Sequence, residues 1–173
     1  MKRLRLLSNF IEAWPLCTFL IYINLHPPVL GYEWFAPYLL GSILAVPVTA
    51  LVIYQGLPIN RIFMGIHLYF ISGSLGLLLG WEWLNRFYGE LDAAGMLLCI
   101  IILGLASLMS RGGFVGAQQA PRVQVLRASL VLVFGAIGAF MLSYYTQGNK
   151  LWAECVPFIA LFILQRALQA RLQ

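Results

Sequence analysis

Two stretches of this chain, residues 34–54 and 62–81, contain no Asp, Glu, Lys or Arg, and each has about 20 residues, the length of helix that crosses a hydrocarbon core. A bilayer has no water to satisfy backbone amides, so such stretches must cross as helices that close their own hydrogen bonds. The rest of the sequence conforms. Of its 173 residues 61% are hydrophobic and 10% charged, against about 45–50% and 25% in soluble proteins. A chain of that composition cannot cover itself in water.

The periodicity predicts an all-α, polytopic membrane bundle in one transmembrane domain spanning residues 1–173, with six crossings at about 9–25, 34–54, 62–81, 93–110, 128–145 and 151–168. The linkers carry turn formers: His26-Pro27-Pro28, Gln55-Gly56-Leu57-Pro58, Arg111-Gly112-Gly113 and Gln147-Gly148-Asn149. The last segment is the shortest between charges, from Lys150 to Arg166 with Glu154 inside it, and five crossings are the alternative if it stops short. The basic start followed by an apolar run is like a signal peptide, yet no small-residue cleavage site closes it, and the first helix is expected to stay as an anchor.

Orientation follows from the cations, which stay cytoplasmic during insertion. With the N-terminus inside, Lys2, Arg3, Arg5, Arg61, Arg111, Arg122, Arg127, Arg166 and Arg171 fall inside, and Arg86 and Lys150 outside. The acids Glu33, Glu82, Glu90, Asp92 and Glu154 fall outside, with Glu12 alone near the inner end. Trp34, Trp81, Trp83 and Trp152 gather at the outer boundary, where indole rings settle among headgroups. All three patterns predict N-in/C-in. The net charge of +5 is therefore topological, since scattered cations make no phosphate-tracking surface for nucleic acid.

Internal repetition is legible. Gly73-Ser74-Leu75-Gly76 in the third segment and Gly135-Ala136-Ile137-Gly138 in the fifth hold the same place, each followed by an aromatic boundary and an acid, which suggests repeated helical hairpins. Gly73, Gly76, Gly80, Gly104, Gly135 and Gly138 are candidate helix-packing positions, and Gly76 with Gly80 forms a GxxxG. Internal packing is the simpler expectation for them, a homodimer face the alternative.

Three ionisable side chains, Glu12, His67 and Glu154, form the candidate intramembrane polar site, because a buried charge in a bilayer is costly and tends to mark a proton or ion path. Glu12 and Glu154 each precede a proline by three residues, Pro15 and Pro157. That spacing also fits helix-start punctuation, with an acid against the positive helix end, and punctuation is the simpler expectation. His67, within the charge-free third segment, is expected to be a hydrogen-bonded packing residue. Pro37 and Pro47 would each remove a backbone bond and free a carbonyl, shaping a cavity.

No metal or cofactor is implied: Cys17, Cys99 and Cys155 lie apart without CxxC spacing, and His26 and His67 belong to opposite ends. The sequence holds no GxxxxGK[ST], HExxH or GxSxG, which argues against the familiar enzyme classes.

Pro15-Leu16 followed by Phe19 and Tyr22, the glycine-bearing third segment, the Leu-rich fourth ending in Leu108-Met109-Ser110-Arg111, and the hairpin from Leu126 to Trp152 resemble, in order and spacing, the bacterial septation protein A family of inner-membrane-spanning proteins. Arg111-Gly112-Gly113 departs from the more basic, Pro-containing inner loop of that family. The resemblance implies a noncatalytic multi-pass protein of the bacterial cytoplasmic (inner) membrane, acting in cell-envelope maintenance or division through helix-mediated association with other membrane proteins or itself. It implies no catalytic residues. The alternative, from the residues alone, is a small transporter or lipid-handling protein using a cavity near Glu12 and His67.

Overall fold

A computed structural model describes residues 2–26 and 34–172, with side chains from residue 9 onward in the first helix. Pro27, Pro28 and Glu33, and the side chains of Lys2, Arg3 and Arg5, lie outside the described residues. Among the described residues there are seven α-helices and no strand. The helices are α1 (Lys2–Leu25), α2 (Phe35–Tyr54), α3 (Arg61–Leu78), α4 (Glu82–Leu91), α5 (Ala93–Ser107), α6 (Arg122–Tyr145) and α7 (Val156–Arg171), with a π-helical turn, Leu151–Cys155, leading into α7. Four of these, α2, α3, α6 and the π turn with α7, are long and apolar enough to cross a membrane, and the bent pair α4 and α5 taken as one span makes five.

Contacts divide the chain into two compact units, Met1–Glu90 and Leu91–Gln173. In the first, α2 packs on both α1 and α3. Its inward stripe, Tyr38, Gly41, Ser42, Ala45 and Val52, is mostly small, whereas Ile43, Val46, Ile53 and Tyr54 on the outside are large and apolar. That inversion of the soluble pattern is what a helix with lipid on one side and neighbours on the other requires. A Cβ on Gly73 would stand 2.5 Å from the Tyr38 ring, and one on Gly41 2.8 Å from Phe70, so these glycines set how closely α2 and α3 approach. Phe19 of α1 packs on Phe70, with ring centroids 4.7 Å apart, and on Tyr38.

Two helices begin earlier than their apolar runs. α1 starts at Lys2 rather than residue 9, and α6 at Arg122 rather than residue 128. Hydropathy marks the thickness of the bilayer, whereas a helix continues into the basic interface for as long as its backbone bonds propagate. α1 also contains Pro15, which is fully buried inside the helix. Pro15 removes the N–H that the Ile11 carbonyl would accept, and the helix runs through it; the expectation that Glu12 and Pro15 mark a helix start is corrected here.

Residues 82–91, expected to be loop, form α4. Leu84, Tyr88 and Leu91 recur at helical spacing, with Glu82 in the first turn at the positive end of the dipole. Tyr88 is buried, packs its ring tilted against that of Tyr69 and shares a 2.7 Å hydrogen bond with Ser72. Gly80 is no packing glycine. It takes φ +67° just past α3, where the Trp81 N–H reaches the Gly76 carbonyl at 2.7 Å and the Gly80 N–H that of Leu77, a left-handed helix stop that glycine adopts without strain.

In the second unit α6 packs on α5 and on α7. The segment between α5 and α6 is folded inward: Phe114 and Val115 are fully buried, with Phe114 against Gly104. Gly113, at φ +55°, permits the reversal and leaves room for Ser129, whose hydroxyl accepts from the Val115 N–H at 3.3 Å. The Gln169 amide donates to the Val115 carbonyl at 2.7 Å. Arg122 donates to the Ser110 carbonyl and, at 2.6 Å, to that of Leu108, covering orphan acceptors at the end of α5. Ser143 donates to the Ala153 carbonyl at 2.7 Å beside the π turn. Gly135 lies against Leu164 of α7, whereas a Cβ on Gly138 would meet open space.

Candidate intramembrane polar site

The polar site is built where α1, α2 and the start of α3 meet. Asn60 closes the turn after α2 and caps α3: its backbone is extended, with φ −86° and ψ 111°, and its side-chain oxygen accepts from the Ile62 N–H at 3.0 Å. An N-cap leaves its own N–H pointing out of the helix. That N–H is taken by Glu12 of α1, at 3.0 Å to Oε2 and 3.3 Å to Oε1. The Asn60 amide group donates to Asn9 Oδ1, one turn below Glu12 on α1, at 3.2 Å. The carboxyl group thus stands at the amino end of α3, bonded to the backbone of its capping residue.

His67 lies two turns along α3 and is 3% exposed. Its Nε2 is 3.0 Å from the Glu12 backbone carbonyl and its Nδ1 is 2.8 Å from the Thr49 hydroxyl of α2. A carbonyl only accepts, so Nε2 carries the hydrogen. The hydroxyl is different, because it donates to a bare Nδ1 or accepts from a protonated one. His67 can therefore gain or lose a proton at Nδ1 while keeping both hydrogen bonds, provided that the Thr49 hydroxyl turns.

Glu12, Thr49 and His67, with Val52, Ile59 and Met64, line a cavity of about 10 Å³. That is the size of one water molecule, and far below the several hundred Å³ of a pocket for an organic ligand. Pro37 and Pro47 line none of it. Pro37 sits in the first turn of α2, where no intrahelical bond is lost, and Pro47 faces outward.

No protein-family model, curated protein or solved structure matches this chain.

Of the three ionisable residues expected at the site, the fold brings Glu12 and His67 together. Glu154 belongs to the second unit, in the π-helical turn before Pro157, which stands at the start of α7. There too helix runs through the spacing of acid and proline, from the π-helical turn into α7. Sequence reading missed Thr49, Asn9 and Asn60. Asn60 was within reach, since an Asn directly before an apolar helical run is an N-cap signal. Thr49 carried none, for one hydroxyl in an apolar run is ordinary.

The other buried polar groups of this unit are also paired between helices. Tyr38 and Tyr69 join hydroxyls at 2.6 Å, and Ser42 and Ser74 at 2.8 Å. Among the described residues no buried side-chain nitrogen or oxygen lacks a partner, and no group of three His, Cys, Asp or Glu is gathered as metal ligands would be.

Proposed function

We propose that this chain is a small proton-coupled membrane transporter in which Glu12, Thr49 and His67 form the proton-carrying site. The observation behind this reading is the convergence of a carboxyl group, a hydroxyl and an imidazole, from three different helices, on one water-sized cavity. A proton passes from the Glu12 carboxyl through a water in that cavity to the Thr49 oxygen, which hands its own hydrogen to His67 Nδ1; reversal restores each group. Because the same carboxyl group holds the Asn60 N–H, a change in its charge alters the bond between α1 and α3, which is how proton binding would reach the packing of helices. The cavity does not accommodate a lipid or an organic solute, so the cargo path lies elsewhere.

The proposal includes six crossings, N-in/C-in, in a bacterial cytoplasmic membrane, as the nine inner and two outer cations suggest. α1 is the sixth crossing. Its low apolarity comes in part from Asn9, Glu12 and Asn24, and each of these polar side chains is hydrogen-bonded: Asn9 and Glu12 to Asn60, and Asn24 to the Leu20 carbonyl.

The test is an imposed pH gradient across proteoliposomes holding the purified protein and an internal pH dye. Wild type is expected to dissipate the gradient faster than empty vesicles, and Glu12→Gln at least about tenfold more slowly than wild type. Gln keeps an acceptor for Asn60 while losing the exchangeable proton, so the variant separates proton carriage from capping. Equal rates for wild type and empty vesicles, with and without a screen of co-transported solutes, sink the reading.

A second reading, helix-mediated association in envelope maintenance, is favoured by Gly138. It stands on the outward face of α6 among exposed Phe134, Met141 and Tyr145, a notch into which a partner helix would fit. Crosslinking in native membranes should then capture partners through Gly138→Cys; recovery of the monomer alone counts against it.

A further inference from the structure

The second unit carries a feature that proton carriage does not use. The outward face of α7 exposes Ile159 and Ile163, and Phe162, Ile163, Arg166 and Ala167 line a shallow, almost wholly apolar groove of about 490 Å³. At the same end of this unit Leu168 and Leu172 of α7 pack against the cluster of Val115, Ala117, Val125 and Ala128. The end of α7 therefore lies beside the start of α6 and the folded segment before it, and Arg111, Arg127, Arg166 and Arg171 are all exposed there. Arg122 is engaged with the carbonyls that end α5. The acidic side chains of residues 91–173 are Asp92 and Glu154. Glu154, twelve residues before Arg166, is about 18 Å away along the helix, beyond the roughly 10 Å over which salt leaves charges coupled.

We propose that this groove binds an anionic phospholipid, with one acyl chain against Phe162 and Ile163 and the phosphate on the Arg166 guanidinium. The occupant follows from complementarity. A shallow apolar groove on a helix face turned to the bilayer selects a hydrocarbon chain, and a guanidinium at its end, among other exposed cations, selects a phosphate at headgroup level. Arg171, on the same end but not lining the groove, supplies only diffuse attraction. The inference needs α7 to lie in a membrane and is independent of any role for Glu12.

The experiment is native mass spectrometry of the full chain released from micelles doped with phosphatidylglycerol or phosphatidylcholine. Wild type is expected to retain phosphatidylglycerol at about tenfold lower lipid concentration than phosphatidylcholine. Arg166→Gln should weaken that retention about fivefold, and Arg171→Gln less than twofold. Ala167→Trp, which fills the groove and leaves every charge in place, should abolish the preference while helicity by circular dichroism is unchanged. Equal losses for Arg166→Gln and Arg171→Gln overturn the site in favour of diffuse charge. Displacement of the lipid by inorganic phosphate alone, or a dimer of the chain released by Ala167→Trp, overturns it as well.

Discussion

The two units solve one problem, burying polarity within lipid, by different means. The first joins its helices largely through pairs of side chains, Asn9 with Asn60, Thr49 with His67, Ser42 with Ser74 and Tyr38 with Tyr69, to which Glu12 adds bonds from its carboxyl group to the Asn60 N–H and from its carbonyl to His67. The second joins them largely through backbone groups of turns that side chains reach: Val115 held by Ser129 and Gln169, Leu108 and Ser110 by Arg122, and Ala153 by Ser143. Side-chain pairs place ionisable and hydroxyl groups between helices, where they can exchange protons. The bonds of the second unit fix turns through hydroxyls, an amide and a guanidinium, with no carboxyl group or imidazole among them. The difference explains why a candidate chemical site occurs in one unit and a candidate lipid surface in the other.

The comparison breaks most easily at Gly113. Valine there must adopt a positive φ and displace Ser129, and is expected to cost about 3 kcal/mol. Reversible unfolding in mixed micelles measures it, and hydrogen exchange should show residues 108–121 deprotected first. A smaller effect is expected in the first unit. Glu12→Leu leaves the Asn60 N–H buried without an acceptor and should cost about 2 kcal/mol, whereas Glu12→Gln should cost less than about 1 kcal/mol. Equal costs for the two would show that the carboxyl group does not cap α3.

Two glycines sharpen the contrast further. Gly80→Ala should lose about 1 kcal/mol from the left-handed turn, and Gly138→Ala less than about 0.5 kcal/mol, because it meets open space. The reverse order would restore Gly80 and Gly138 to the packing roles that their sequence spacing suggested. Between those two, Tyr38→Phe should cost roughly 0.6 kcal/mol, the usual worth of an interhelical hydrogen bond in a bilayer. A large loss there would make the hydroxyl pair of Tyr38 and Tyr69 a principal clasp of α2 on α3.

The helical, membrane-type character was legible because 34–54 and 62–81 have one physical explanation. Helix ends were less so, since Arg122 and Arg127 signal the membrane surface while the backbone of α6 winds past it. α4 was hidden by Trp83 and its charges, which read as an outer loop although Leu84, Tyr88 and Leu91 repeat at helical spacing. Glu12 and His67 stood out singly, as charges in apolar runs do. Their meeting depends on the turn at Asn60, and on α1 continuing through Pro15, where residue-by-residue rules favour an interruption.

The bond between Glu12 and Asn60 also sets an order of events at the ribosome. The two residues are 48 positions apart, so at about 5–20 residues per second the carboxyl group waits roughly 2–10 s for its partner to be made. If α1 is the sixth crossing proposed above, during that interval it either waits at the interface or enters lipid with an acid that has no partner. The proposed crossing thus couples the entry of α1 to the emergence of α3.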